Sequence, residues 1–183
     1  MLLLLLLLQT IWLGLPGAIS NMAPPIAAKL FPNFLKSPID MSKSFRGKRL
    51  FGDNKTIRGL FIGILLGEVA FLIQQMLAGY AFFVSLNIIA YNSLPWYFGF
   101  LFGIGALGGD LIKSFAKRQF GIPAGHTWIP FDQIDWIIGL LVVLLIFVKL
   151  PLSIIITGLT LGLILHIVVK FTGFLLGLDK KPI

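Results

Sequence analysis

Long apolar stretches separated by short polar islands set the pattern of this chain. Met1 to Ala28 carries no charged residue, Gly59 to Gly109 carries only Glu68, Trp136 to Val148 carries none, and the run from Leu152 to Val169 carries only His166. A helix that crosses a bilayer needs roughly 20 apolar residues rising about 1.5 Å each. The second stretch is too long for one crossing, and Asn92-Ser93-Leu94-Pro95 supplies its turn. The pattern predicts helices over about 2–31, 57–79, 95–118, 132–149 and 151–177. Tyr80 to Tyr91 is apolar and aromatic but short, and is expected to be a lipid-facing interfacial segment or an extension of the second helix.

The polar islands fix an expected orientation. Lys36, Lys43, Arg46, Lys48, Arg49, Lys55 and Arg58 follow the first helix, and no Lys or Arg follows the second. Lys113, Lys117 and Arg118 lie at the end of the third, Lys149 alone follows the fourth, and Lys180 and Lys181 lie in the tail. Basic and non-basic connections alternate, so the positive-inside rule gives five spans with the N-terminus outside. A sixth span at Tyr80–Tyr91 would put the two basic loops on opposite sides. The Leu-rich start lacks the preceding basic residues of a secretory signal, so it is read as the first helix.

Composition narrows the class. Hydrophobic residues make up 57% of the 183 and charged residues 12%, about half the share a soluble domain carries. That excludes a soluble globular enzyme and a disordered chain. With no cysteine, disulfides, thiolate metal sites and cysteine nucleophiles are excluded. The formal charge of +8 suits anionic headgroups or anionic substrates at the cytoplasmic face. No internal repeat or linker appears, so residues 1–183 read as one all-α, membrane-embedded domain.

Ionisable groups inside a span cost several kcal/mol unless they line a polar cavity or find a partner, which marks three places. Asp110, Lys113, Ser114 and Lys117 are spaced i, i+3, i+4, i+7, on one helical face, with Arg118 beside them. One carboxylate, a hydroxyl and ammonium groups suit a metal-bound polyphosphate; the alternative is a span end whose basic side chains snorkel. Asp132 and Asp135, three apart at the start of the fourth helix with Gln133 between them, can face the same way. Hard divalent cations such as Mg²⁺ prefer carboxylate oxygens; the alternative is a helix cap and a dipole partner. Leu50 to Gly59, with Asn54, Lys55, Thr56 and Arg58 between glycines, places donors at a helix N-terminus, a setting for phosphate. It lacks P-loop spacing, and the alternative is a basic loop that holds anionic lipid. Glu68 and His166 could line a cavity or find a neighbouring partner, and neither joins the metal set.

Together these residues resemble a known family. Gly109-Asp110, then Ser114-Phe115-Ala116-Lys117-Arg118, then Asp132-Gln133-Ile134-Asp135 is similar to the signature of the membrane CDP-diacylglycerol synthases. Gln133 after the first aspartate matches the archaeal-type branch, the CDP-archaeol synthases, where phosphatidate cytidylyltransferases carry arginine. Gly52 to Gly59 and the ending Leu176 to Pro182 also resemble that branch. The phosphatidate family's P-G-H-G-G-x-x-D-R motif is not reproduced: His126 lies one residue further from the aspartate pair.

The resemblance implies five membrane helices around a charged cavity open to the cytoplasm. It implies an enzyme that moves CMP from CTP to a lipid phosphate such as unsaturated archaetidic acid, releasing pyrophosphate with Mg²⁺ as cofactor. Asp110, Asp132 and Asp135 are then expected to hold metal, with Lys117 joining them as a catalytic group. Lys113 and Arg118 are expected on the phosphates with Lys117, Ser114 on a phosphate oxygen, and Asn54, Lys55, Thr56, Arg58 and Gln133 on the substrates. The expected partners are CTP, the lipid phosphate and the bilayer, with no nucleic acid. A phosphatidate cytidylyltransferase and a small ion or anion transporter are the rival functions. A transporter would spread polar residues through the bilayer midplane and show repeats, whereas these charges gather at the cytoplasmic ends. A CDP-alcohol phosphotransferase would need a long D-G-x-x-A-R aspartate motif, which is absent, and a non-catalytic partner protein would leave the grouped carboxylates without a purpose.

Overall fold

The computed structural model describes residues 2–123 and 126–175. The C-terminal motif Leu176–Pro182 lies outside the described residues, and so does the side chain of His166 on the last helix. Helix α1 spans Leu2–Leu30, α2 Ile57–Leu77, α3 Ala81–Val84, α4 Gly99–Gln119, α5 Phe131–Phe147 and α6 Leu152–Leu175. A hairpin of two short antiparallel strands, β1 Ser44–Phe45 and β2 Lys48–Arg49, sits in the loop between α1 and α2. Its two-residue turn is Arg46-Gly47, both at positive φ, the turn whose twist suits a tight hairpin.

The protein is an all-α membrane protein. Leu2–Leu30, Ile57–Leu77 and Trp96–Gln119 are each long and apolar enough to cross a bilayer. Large apolar side chains such as Phe61, Ile73, Met76, Ile112, Val142 and Ile146 point outward, which is tolerated where the surroundings are lipid rather than water. Tyr80 to Tyr91 forms only the single turn α3 and a 3₁₀ turn at Tyr91–Ser93, so it does not cross. Tyr80, Phe82 and Val84 are exposed, whereas Leu86, Ile89 and Tyr91 tuck into the core.

Lipid supplies no hydrophobic drive between helices, so close packing of small residues has to hold them. Helix α1 runs antiparallel to α2, with Pro24 against Gly59 and Gln74 reaching Trp12. Pro16 has no N–H to give the Trp12 carbonyl, and Gln74 Nε2 donates to that freed oxygen at 2.5 Å. Helix α4 runs antiparallel to both α2 and α5. A Cβ on Gly109 would lie 2.1 Å from the Asp135 carbonyl oxygen, and one on Gly139 2.2 Å from that of Gly105. Helix α6 closes against α5 and α1, with Gly162 at Ile137 and Gly158 at Thr10. Away from the basic loop, Phe71 gathers Tyr91, Phe98 and Phe102 at ring-centroid distances of 6.0, 5.8 and 5.6 Å. This fixes where α4 begins.

The α4–α5 seam yields a test. Gly139→Ala forces the two backbones apart and is expected to cost about 1–3 kcal/mol, read as a lower melting temperature in detergent. Gly108→Ala, on α4 with nothing within 4 Å of its Cβ, is expected to leave melting unchanged. Equal melting of both variants would remove the tight seam as a determinant of stability.

Candidate active site

Helical periodicity puts Asp110, Lys113, Ser114 and Lys117 on one face of α4, and the seam at Gly109 sets that face against the first turn of α5. Asp132 and Asp135 lie on that turn. Lys113 Nζ stands 3.1 Å from Asp110 Oδ1, 3.1 Å from Asp132 Oδ1 and 2.9 Å from Asp135 Oδ2. Three carboxylates from two helices therefore converge on one ammonium. Lys117 Nζ donates to both Asp132 oxygens at 3.0 and 2.9 Å and to the His126 carbonyl. Trp128 N–H donates to Asp132 Oδ2 at 2.5 Å. From the other side of α4, Lys55 donates to Asp110 Oδ2.

Three aspartates are thus balanced by Lys55, Lys113 and Lys117. In a low-dielectric setting unpaired charge costs far more than paired charge, so this balance makes the cluster tolerable between membrane helices. Among the described residues no three carboxylate or imidazole side chains group directly into a metal cage; ammonium groups stand between the acids. The donor set nevertheless fits a hard cation. It offers only carboxylate oxygens, and they already converge on one positive charge.

Three cavities meet at the cluster. One of about 130 Å³ is lined by Gly52, Asn54, Lys55, Lys113, Lys117 and Arg118, with Ser114 also on its wall. It is rich in cationic groups. A second, of about 500 Å³, lies between α1 and the start of α2, beside Asn54, Lys55, Thr56, Arg58 and Asp110. A third, of about 510 Å³, is an apolar groove along α4 and α5, walled by Ile104, Gly108, Ile138, Val142 and Val143, with Lys113 and Asp135 at its head.

The remaining expected residues divide. Thr56 caps α2, its hydroxyl accepting Gly59 N–H at 3.2 Å, while also facing the second cavity. Arg58 donates to the carbonyls of Phe31 and Pro32 at 2.7 and 2.9 Å, tying the end of α1 to the start of α2. Ser114 gives its proton to the Asp110 carbonyl at 2.7 Å, so toward a ligand it can only accept. Gln133 is 1% exposed and lines none of these cavities; the first turn of α5 turns it away from Asp132 and Asp135. Glu68 is buried, its carboxylate set against the N–H groups of Gly99 and Phe100 at the start of α4 and far along α2 from the cluster.

Sequence reasoning missed Asp40. Its carboxylate is buried and accepts from Arg49 Nε at 3.2 Å, Arg49 Nη2 at 2.8 Å, and the N–H groups of Ser42, Phe51 and Gly52 at 3.1, 3.0 and 2.9 Å. The Arg49 guanidinium and these N–H donors hold it well below the usual carboxylate range. Lys48 Nζ donates to the Gln119 carbonyl at 2.6 Å, and Phe45 and Phe51 pack on Phe115. The loop is thereby fastened to the end of α4, and Asn54-Lys55 is carried to Asp110. The one available signal was that Asp40 is one of two acids, with Asp53, in a strongly basic loop.

A family model described as CarS-like, CDP-archaeol synthase, matches residues 2–182. The chain is 36% identical over 168 residues to the CDP-archaeol synthase of Methanoculleus marisnigri, covering 87% of this chain and 96% of that protein. It is 37% identical over 136 residues to the CDP-archaeol synthase of Pyrococcus furiosus, covering 74% and 73%. A solved structure of an intramembrane enzyme for archaeal membrane lipids biosynthesis superimposes with a TM-score of 0.70 at 28% identity, covering 87% of this chain and 91% of that one.

Asp40→Ala strips an acceptor from three backbone N–H groups and a guanidinium. Tryptic cleavage at Lys43, Lys48 and Arg49 is expected to accelerate about tenfold, consistent with losing several hydrogen bonds that close the loop, while helical circular dichroism stays unchanged. Because the folded-state pKa of Asp40 is depressed, its stabilisation is complete at neutral pH. It declines only as pH falls below about 4, the unfolded value, toward the lower native one. Loop protection that disappears between pH 8 and 6 would contradict this.

Proposed function

The chain belongs to the CarS-like family of CDP-archaeol synthases, and from that membership we propose how its residues carry out the reaction. It is an enzyme that transfers CMP from CTP to the phosphate of a membrane lipid, leaving a CDP-lipid and pyrophosphate. The observation that carries the reading is the convergence of Asp110, Asp132 and Asp135 on a single cationic position, between a cation-lined cavity and an apolar groove.

CTP brings about four negative charges and the lipid phosphate about two, so cationic groups must offset their repulsion. Lys117 and Arg118 hold the β- and γ-phosphates in the cationic cavity, Arg118 as a planar fork. Lys55 and Asn54 approach the nucleotide from the loop side. Asp110, Asp132 and Asp135 are the residues that would hold Mg²⁺. When bound there, the ion supplies charge neutralisation at the phosphates and polarises the reacting centre. The lipid phosphate is ionised at neutral pH, so no protein nucleophile is required. Its oxygen forms a bond to the α-phosphorus as the bond from that phosphorus to the bridging oxygen breaks, and the electron pair leaves with pyrophosphate. Lys113 faces both the cationic cavity and the groove, which suits it to the lipid phosphate while the chains lie along Val142 and Val143. Positioning and charge neutralisation supply most of the rate, as in other phosphoryl-type transfers.

The alternating basic connections support a single five-pass domain with its N-terminus outside and the cluster toward the cytoplasm. Gln133 and the archaeal relatives support a diether lipid phosphate, of the unsaturated archaetidic acid type, over phosphatidic acid.

Purified protein incubated with labelled CTP, Mg²⁺ and a diether lipid phosphate is expected to move label into the lipid fraction, and less with phosphatidic acid. Label confined to the aqueous phase with both lipids would overturn the function; faster transfer to phosphatidic acid would overturn the lipid preference. Asp132→Asn and Asp135→Asn are each expected to lower transfer by roughly a hundredfold or more, with excess Mg²⁺ restoring little. Near-normal rates in both would remove the metal assignment. Cysteine labelling of Lys43→Cys by an impermeant reagent, expected only from the cytoplasmic side, tests the orientation.

A further inference from the structure

We propose that the stretch joining α1 to α2 carries a docking surface for anionic lipid headgroups, built from Phe31, Phe34 and Leu35 with Lys29 and Lys36 on either side. The surface lies outside the reaction assigned above and does not depend on it. Phe31, Phe34 and Leu35 are 51, 48 and 42% exposed, and Lys29 and Lys36 are exposed beside them. Large apolar side chains grouped at a surface and rimmed by polar ones mark a place of contact rather than a face left to water.

Backbone hydrogen bonds fix the depth of this stretch. Arg58 N–H donates to the Leu35 carbonyl at 2.9 Å, and Ile57 N–H to that of Ser37 at 3.0 Å. The Arg58 side chain holds the carbonyls of Phe31 and Pro32. Residues 31–37 are thereby laid beside the first turn of α2, a helix long and apolar enough to cross a bilayer. The Phe34 ring stands 6.4 Å from that of Phe61, which points outward one turn into α2. The patch is therefore continuous with a lipid-facing side of the bundle, at the level where headgroups begin. Leu35 is held at a φ of 40°, a conformation bulky residues rarely adopt, and its side chain stays exposed there instead of packing into the protein.

Charge names the occupant. Arg49 engages Asp40 and Asp53, and Lys55, Lys113 and Lys117 engage Asp110, Asp132 and Asp135. Glu68 faces the start of α4. Among the described residues no acid is left for Lys29 or Lys36, and neither makes an ion pair. Aromatic rings at a membrane boundary sit at the edge of the acyl region, and unpaired ammonium groups beside them reach the phosphates of anionic lipids. The lipid is one of the leaflet's own and not the reacting one. The apolar groove that opens on Lys113 runs along α4 and α5 and includes none of these residues. Docking also steadies the site, because Ile39 N–H donates to the Lys55 carbonyl at 2.8 Å, tying this stretch to the residue that meets Asp110.

The chain has no cysteine, so a single nitroxide can be attached through Asn33→Cys, an exposed position between the two rings. In phosphatidylcholine vesicles that contain phosphatidylglycerol, its collisions with a neutral, water-soluble nickel chelate are expected to be about threefold or more fewer than in phosphatidylcholine alone. High salt is expected to reverse the fall. Adding Lys29→Gln and Lys36→Gln, both at exposed positions, is expected to remove most of the difference while the melting temperature stays that of the labelled protein. Equal collision rates in the two kinds of vesicle would overturn the proposal. Shielding in both would mean apolar insertion without recognition of anions, and free collision in both would leave the surface to a soluble partner. A difference that the lysine variant keeps in full would overturn it as well. The measurement uses neither CTP nor lipid phosphate, so a protein that docks in this way but transfers no CMP sinks the reaction and leaves this surface standing.

Discussion

A close approach of two helix backbones sets the chemistry of this protein. At Gly109 and Gly139 the backbones of α4 and α5 touch where any side chain would collide. Gly109 directly precedes Asp110, and the carbonyl it meets belongs to Asp135. The absence of one Cβ therefore decides the distance between the two acidic motifs. Held a side chain further apart, the three carboxylates would not share one cationic partner. In a bilayer, where burial of apolar surface does not draw helices together, such small-residue contacts supply much of what fixes this spacing.

The charges at the seam are arranged for exchange more than for stability. Three aspartates and three lysines balance one another, so the cluster can exist between membrane helices without a ligand. Every one of these ion pairs also lies against a cavity. An incoming polyanion offers the lysines new partners, and a hard cation would take over the carboxylates those lysines release. The cluster holds its charges close to balance before and after such an exchange, which keeps the cost of desolvation low at each stage.

The loop between α1 and α2 works by restraint. Asp40 ties together five donors, Lys48 fastens the hairpin to the end of α4, and Phe45 and Phe51 pack on Phe115. A flexible basic loop would scatter its lysines over the membrane surface. This one carries Asn54 and Lys55 to a fixed point beside Asp110, so the loop becomes a wall of the site rather than a tether.

The order and extent of the helices were written in the chain. Long apolar stretches predicted helices over about 57–79 and 132–149, and the structure has Ile57–Leu77 and Phe131–Phe147. Membership of one face was legible too, because the spacing of Asp110, Lys113, Ser114 and Lys117 follows from helical geometry alone, as does that of Asp132 and Asp135. What a periodicity cannot state is which face meets which. The same spacing rule left Gln133 free to join the site, and packing turned it inward. It gave no weight to Asp40, whose partners are scattered from Ser42 to Gly52. Local spacing is fixed by the covalent chain. The convergence of α4 with α5, the anchoring of the loop and the chamber against α1 depend on through-space contacts between distant residues, and only the tertiary structure decides those.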